Sequence, residues 1–157
     1  MTKCAVYARV STEDQTEENQ IQPLLNVAAQ RGYEVHEIYR EQASAWKNGH
    51  QRELARLFED GRRGKFQVVL IFALNRLSRE GALQALLYFK KFAEYGITCI
   101  SLQESWTELP SGFRDVLISM LAWLAKEESD RKSAAVKAGM ARVAATGKHM
   151  GRPRKVK

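Results

Sequence analysis

The stretch FQVVLIFAL, residues 66–74, is an uninterrupted apolar run, and it limits the possible folds of this chain more than any other feature. A strand that is covered on both faces reads as a continuous apolar run, whereas a half-exposed strand alternates. Residues 3–10, 33–39 and 97–102 also have strand patterns, and segments with helical spacing of apolar residues separate them. This alternation predicts an α/β fold, a parallel sheet with helices on both faces.

The pattern changes beyond the fourth predicted strand. Between Gly112 and Gly147 there is neither a proline nor a strand pattern, which predicts one helix about 50 Å long at 1.5 Å per residue. Its first half is apolar on two sides, so one side can pack on the parent domain and the other on a second copy of the chain. A helix buried within one domain is the alternative. We therefore expect an α/β domain at 1–110, a long dimerisation helix at 111–147 whose second half is basic, and a basic extended arm at 148–157.

The net charge of +7 is concentrated near the carboxyl end. Residues 131–157 hold nine of the 25 lysines and arginines and none of the 18 acids, so the preceding residues carry 16 basic against 18 acidic side chains. Such a segment favours a polyanionic partner, nucleic acid first, with a solvated terminus as the alternative. The basic residues that we expect to contact DNA are Lys137, Arg142, Lys148, Arg152, Arg154 and Lys155.

Several other classes of protein do not fit the sequence. No stretch approaches the roughly 18 apolar residues of a membrane helix, and the first residues are too polar for a signal peptide, so we expect a cytoplasmic protein. Cys4 and Cys99 lie in apolar stretches and are interpreted as reduced and buried. The three histidines are scattered and no C-x-x-C or H-E-x-x-H motif occurs, which predicts no metal site.

A cation and a hydroxyl group come together at the end of the first predicted strand. In VYARVS, residues 6–11, Arg9 and Ser11 share a face at the carboxyl end of the strand, the edge at which parallel sheets bind ligands. The third strand ends in NRLSRE, so Arg76 and Arg79 should reach the same edge and share a helix face. Taken singly, each arginine could be an ordinary surface residue.

Arginines gathered around one hydroxyl group require an anion between them. A guanidinium group suits phosphate oxygens, whereas the residues around Ser11 offer no obvious partner for a hydrolase triad and no G-x-S-x-G motif. We therefore expect a phosphodiester substrate, with Ser11 attacking phosphorus and the arginines stabilising the transition state.

These motifs, taken together, resemble the catalytic domain of the serine recombinases of the resolvase/invertase family. The resemblance rests on YARVSTEDQTEENQ, QRELARL, LNRLSRE and the long segment LAKEESDRKSAAVKAGMARVAATGKHMGRPRK. It spans nearly the whole chain, and the pair YARVST and RLSR is specific. It implies a resolvase-like fold and a site-specific DNA recombinase that cleaves and rejoins DNA through a 5′-phosphoserine at Ser11. It also implies that neither a metal nor any other cofactor is needed.

The resemblance further assigns roles by position. It implies that the arginines belong to the active site, Arg52 as the arginine of a mobile loop, and that two glutamines help to order the serine loop; the matching residues are Arg9, Arg52, Arg76, Arg79, Gln15 and Gln20. Asn75 departs from the family, which usually has aspartate there. Since an amide can hydrogen-bond but cannot transfer a proton, our hypothesis is that Asn75 keeps the geometry and that proton transfer does not depend on this position.

The resemblance implies a nucleoid-associated protein of bacterial, archaeal or mobile-element origin that binds double-stranded DNA. It also implies a homodimer, and a tetramer in the active synaptic complex, with dimer contacts from Met120, Leu121, Leu124 and Glu128. The GRPRK segment suits an arm in the minor groove. A helix-turn-helix domain normally follows in the family and is not within these 157 residues, so we expect weak, salt-dependent DNA binding with little sequence preference.

Two other functions are the alternatives to a recombinase. One is a non-catalytic DNA-binding or regulatory module on the same fold, and the other is a flavodoxin-like binder of a small phosphorylated ligand.

Overall fold

A computed structural model describes residues 1–10, 15–42, 51–78 and 80–146. Within these ranges the strands form one parallel sheet in the order β2-β1-β3-β4. This arrangement confirms the predicted α/β fold and the pairing of the first strand with the third. The strands are β1 (Lys3–Val10), β2 (Glu34–Gln42), β3 (Val68–Ile71) and β4 (Thr98–Ser101). The helices are α1 (Gln15–Gln30), α2 (Arg52–Arg62), α3 (Leu74–Leu77), α4 (Ala82–Glu94) and α5 (Ser111–Ala145), and a 3₁₀ helix spans Ser105–Glu108.

Helices cover both faces of the sheet, as predicted. Helix α1 packs on one face, where Leu24 belongs to the same cluster as Val6 of β1. Helices α2 and α4 and the start of α5 cover the opposite face, where Tyr7 lies. Val6 and Tyr7 point to opposite faces and are both fully buried, so β1 is a central strand.

Helix α2 comes unusually close to the start of β4. A Cβ atom added at Gly61 would lie 2.7 Å from Ile97 Cδ1 and 3.4 Å from Phe66 Cζ. Glycine is a poor helix residue, but a larger side chain at this position would have to displace the end of the Ile97 side chain. Gly61 therefore suits the close approach of α2 at this point.

A polar cluster joins β2 to the end of α2 inside the core. The Tyr39 hydroxyl donates to Asp60 Oδ2 at 2.8 Å, and Lys65 Nζ lies 2.7 Å from Asp60 Oδ1. Burial and the bond to Asp60 raise the pKa of Tyr39. Burial opposes the ionisation of Asp60, but Lys65 and Tyr39 together outweigh it and hold the pKa of that carboxyl below its usual value. Asp60 is thus a buried carboxylate whose charge is fully partnered.

Both cysteines are free and buried, as the sequence predicts. Burial raises the pKa of the Cys4 and Cys99 thiols, so both stay protonated near neutral pH.

The chain divides into two compact units, Met1–Ala122 and Trp123–Lys157. In the first unit Ile118 is buried, while Phe113, Val116 and Met120 are 73%, 58% and 58% exposed. This part of α5 therefore has one face on the core and one apolar face outside it. In the second unit the side chains of α5 are exposed almost throughout. None of the helices in the described ranges has the length and hydropathy that crossing a membrane requires.

Candidate active site

The carboxyl ends of β1 and β3 bring Arg9 to the start of α3. Since β1 and β3 are paired side by side, with Tyr7 opposite Ile71, the residues that follow them meet at one edge of the sheet. The Arg9 guanidinium donates through Nη2 to the backbone oxygen of Asn75 at 3.0 Å. The predicted meeting of Arg9 with the NRLSRE segment is therefore present.

Helix α1 holds the same end of β1 from the other side. Gln20 is 3% exposed, and its Nε2 donates to the backbone oxygen of Arg9 at 3.3 Å. Gln15, the other glutamine of interest, is the first residue of α1. Arg9 is thus fixed at its backbone by α1 and at its guanidinium by α3.

An open cavity of about 650 Å³ lies at this edge of the sheet. Its volume falls in the usual range for small-molecule sites. The end of β1 and the segments after β3 and β4 contribute to it. The lining residues are Arg9, Leu74, Asn75, Ser78, Gly81, Ala82 and Glu104. The sequence analysis identified Arg9 and Asn75 but missed Ser78 and Glu104.

Glu104, three residues beyond β4, contributes a carboxylate to the cavity. Its Oε2 accepts the backbone N–H of Leu74 at 3.1 Å and also the hydroxyl of Ser101. Its place just after a strand of the same sheet is the signal that could have identified it, because β4 ends at the same edge as β3.

Arg76 and Arg52 are the other expected active-site arginines that lie within the described residues. Helix α3 ends at Leu77, and Ser78 is extended, with φ −132° and ψ 145°. The shared helix face expected for Arg76 and Arg79 stays a prediction, because Arg79 lies outside the described residues. Arg76 is half-buried on α3, and Arg52 is exposed at the first position of α2.

Helix α2, which begins with Arg52, is held by a second carboxylate that sequence reasoning missed. Glu41, near the end of β2, is 5% exposed, and its Oε2 accepts the backbone N–H groups of Glu53 at 2.9 Å and Leu54 at 3.1 Å. The first turn of a helix leaves such N–H groups without partners. Glu41 thereby fixes the turn on which Arg52 stands.

The residues expected to form the dimer surface differ in exposure. Met120 and Leu124 are exposed. Leu121, which the sequence analysis grouped with them, is half-buried and packs against the core, because it lies on the inward side of α5. Glu128 is exposed and pairs with Lys132 Nζ at 2.6 Å, and this contact lowers the pKa of the Glu128 carboxyl.

Lys137 and Arg142 are exposed on α5. The remaining predicted site residues lie outside the described ranges; they are Ser11, Arg79, Lys148, Arg152, Arg154 and Lys155.

Comparisons with known proteins point to one family. The family model described as the N-terminal domain of resolvases matches residues 4–149. A resolvase from Clostridium perfringens (strain 13 / Type A) is 30% identical over 151 residues, which cover 95% of this chain and 76% of that protein. A resolvase-family site-specific recombinase from Streptococcus pneumoniae superposes with a TM-score of 0.74 at 25% identity, over 92% of this chain and 99% of that one. The N-terminal catalytic domain of TP901-1 integrase gives a TM-score of 0.66 at 27% identity, over 83% of this chain and 99% of that one.

The family match covers nearly the whole chain and includes the strands and helices that build the cavity around Arg9. The chain therefore belongs to the resolvase family and is a site-specific recombinase catalytic domain.

Proposed function

We propose that this domain cuts and rejoins double-stranded DNA with Ser11 as nucleophile. Ser11 Oγ attacks a backbone phosphorus, the Oγ–P bond forms as the P–O3′ bond breaks, and the serine proton ends on the released 3′-hydroxyl. The phosphate remains a diester throughout, so the reverse attack by another 3′-hydroxyl restores the DNA without any external energy source. Arg9, Arg76 and Arg79 stabilise the charge that develops on the phosphate oxygens.

The observation that carries this proposal is the placement of Arg9. Arg9 lines a cavity at the carboxyl edge of the sheet, where Gln20 bonds its backbone oxygen and the Asn75 carbonyl accepts from its guanidinium. A prepositioned cation costs no reorganisation when charge appears on the substrate, which is why such groups act strongly in phosphoryl transfer.

The same contact supports our hypothesis about Asn75. Arg9 bonds to the backbone oxygen of residue 75 and not to its side chain, so this contact does not require an aspartate there. Asn75 thereby keeps the arrangement of Arg9, and we propose that proton transfer relies on other groups.

The second unit supplies the surface that we propose for the DNA backbone. Lys137 and Arg142 are exposed on α5, and exposed cations of this kind bind phosphates with little regard to base sequence. The basic residues from 148 onward would extend the contact.

We also propose a dimer that pairs through α5, and a tetramer as the active assembly. Phe113, Val116 and Met120 recur at helical spacing and are more than half exposed. Exposed apolar side chains grouped on one helix face mark contact surfaces, and a two-fold dimer would cover this face.

Covalent capture on DNA tests the chemistry. The probe is a pool of random-sequence nicked duplexes, labelled at the 3′ end in one sample and at the 5′ end in another. We expect a denaturing gel to show protein joined to the 3′-labelled fragment only, because the serine is linked to the 5′ phosphate of that fragment. Ser11→Ala should abolish the band, while Ser105→Ala, at an exposed serine of the 3₁₀ helix, should leave it unchanged.

The alternatives give different results in the same assay. Retention of the duplex without any covalent band would favour the non-catalytic module. A band that survives in Ser11→Ala, or a band on the 5′-labelled fragment, would overturn the proposed nucleophile or the proposed polarity.

A further inference from the structure

We propose that Glu104 is a positioning residue of this site, which fixes the orientation of Arg9 through helix α3. The inference rests on the proposed function only where it concerns the rate of DNA cleavage. It names a role for a carboxylate outside the strand and arginine motifs that identified the site.

Glu104 is itself held firmly by the residues around it. Thr107 Oγ1 donates to the backbone oxygen of Glu104 at 2.8 Å and accepts the backbone N–H of Ser101 at 3.0 Å. The Ser101 hydroxyl in turn donates to Glu104 Oε2. Thr107 and Ser101 are both buried, so Glu104 is anchored at the end of β4 by its backbone through Thr107 and by its carboxylate through Ser101.

The anchored carboxylate then holds the beginning of α3. Glu104 Oε2 accepts the backbone N–H of Leu74 at 3.1 Å, and Leu74 is the first residue of that helix. A helix of one turn has few bonds of its own and is not stable alone. Here the Arg76 N–H reaches Ala73 at 2.9 Å and the Ser78 N–H reaches Leu74 at 3.4 Å, so α3 depends on contacts from outside.

Asn75 completes the connection, because it follows Leu74 directly and its carbonyl receives Arg9 Nη2 at 3.0 Å. Both groups belong to the single turn of α3, so a displacement of that turn at Leu74 moves the Asn75 carbonyl as well. Glu104 and Arg9 also line the same cavity. The carboxylate that follows β4 therefore influences the orientation of the cation near the end of β1.

Two conservative substitutions separate this role from a purely electrostatic one. Glu104→Gln keeps the length of the side chain and an oxygen that can accept both bonds, but removes the charge. Glu104→Asp keeps the charge but shortens the reach by one methylene group. If contact with Leu74 is what matters, Gln should resemble the wild type and Asp should not; a role in charge balance gives the opposite order.

Nuclear magnetic resonance of the whole chain provides a readout that needs no DNA. In Glu104→Asp we expect exchange of the Leu74 amide hydrogen to become roughly 10-fold faster, as the loss of a charge-assisted bond implies. We also expect the Arg9 Nε–H signal to shift or broaden, although no direct contact with Glu104 is required. If Glu104 only supports Leu74 locally, exchange of the Leu74 amide hydrogen would become faster while the Arg9 Nε–H signal stayed unchanged. That result would overturn the inference.

The rate of covalent DNA capture provides the second readout. We expect Glu104→Asp to slow adduct formation about 10- to 100-fold, the range that misplacement of a catalytic group produces, and Glu104→Gln to retain most of the rate. The matched control is Glu108→Asp, the same shortening at the last residue of the adjoining 3₁₀ helix, where Glu108 pairs with Arg31 at 2.8 Å on the surface.

The two proposals fail in different ways. Absence of any adduct in the wild type would refute the proposed function but leave the Arg9 signal to decide the role of Glu104. A normal Arg9 signal and rate in Glu104→Asp, with defects in Glu104→Gln, would refute positioning by contact while the proposed function stands.

Discussion

At the scale of single residues, the geometry of Arg9 matters as much as its charge. Its planar guanidinium donates through Nη2 to the Asn75 carbonyl, and Arg9 lines the cavity. A lysine ammonium carries the same charge but has neither the fork nor the same reach.

We therefore predict that Arg9→Lys lowers the single-turnover rate of adduct formation by about 10³-fold, near the lower end of the effect of an active-site arginine. Binding of the duplex should change little. Arg62→Lys, at an exposed position of α2, is the control. A variant that reacts within tenfold of the wild type would show that charge alone is sufficient.

Asp60 predicts how the stability of the fold depends on pH. Its pKa is held below the usual value in the folded chain, so the folded state binds this proton less readily than the unfolded state. The stabilisation is therefore present above the unfolded pKa of about 4 and is lost as the pH falls through the lower folded pKa.

We predict that Lys65→Gln lowers the free energy of unfolding near neutral pH and weakens its decline below about pH 4. Urea unfolding of both proteins at a series of pH values measures this difference. If the free energy of unfolding falls equally steeply with decreasing pH in the wild type and the variant, Lys65 does not control the ionisation of Asp60.

At the scale of elements, the start of α2 depends on one side chain from β2. Glu41 accepts hydrogen bonds from two backbone N–H groups in the first turn of α2. The N-cap residue, Gln51, makes no side-chain hydrogen bond to that turn. The position of Arg52 follows from where β2 ends.

We predict that Glu41→Ala lowers the free energy of unfolding by about 1–2 kcal/mol, the usual cost of removing a helix cap. Glu34→Ala, at an exposed position of the same strand, should cost much less. Chemical denaturation with an unchanged m-value measures the difference. Equal losses in the two variants would show that Glu41 does not stabilise α2.

Elements with a strong pattern of apolar residues could be predicted from the sequence. Strand ends that depend on pairing with a neighbouring strand could not. The sequence predicts β1 at its observed bounds, because its apolar residues leave no alternative. The sequence ends β2 at Tyr39, yet Arg40, Glu41 and Gln42 continue the strand because they pair with Ala8, Arg9 and Val10. Helix α3 and the 3₁₀ helix are a single turn each, too short for any periodicity to appear.

The candidate site shows the same division. Arg9 and the NRLSRE segment were predictable, because adjacent parallel strands end at one edge. The bond from Leu74 to Glu104 spans 30 residues, and nothing local to either residue indicates it. Glu41 likewise reads as one more polar residue of a loop until its partners are known.

At the scale of the whole molecule, the uneven charge predicts how DNA binding responds to salt. A cation that no longer reaches a phosphate should reduce the slope of log K against log salt by about 0.9. We predict that Lys137→Ala with Arg142→Ala reduces this slope by about 2 on random-sequence duplex. Arg62→Ala with Arg63→Ala removes the same charge at the carboxyl end of α2 and should leave the slope unchanged. Equal effects of the two pairs would indicate binding by net charge alone.

The exposed apolar face of α5 predicts the oligomeric state. Met120→Glu places a charge on a residue that is 58% exposed, so the monomer should tolerate it while a dimer buries it at high cost. We predict a shift toward monomer by at least about tenfold in the dissociation constant. Leu87→Glu, at a 45% exposed position of α4, is the control in sedimentation experiments. An unchanged distribution for Met120→Glu would place the dimer contact elsewhere.

The glycine at position 61 also limits which substitutions the molecule can accept. Because the backbone of α2 lies against the Ile97 methyl group there, a Gly61→Ala substitution must turn that methyl group aside or move the end of the helix. Enlarging residue 61 therefore disturbs the contact between α2 and the start of β4, whereas the exposed positions in the first turn of α2 are remote from that contact.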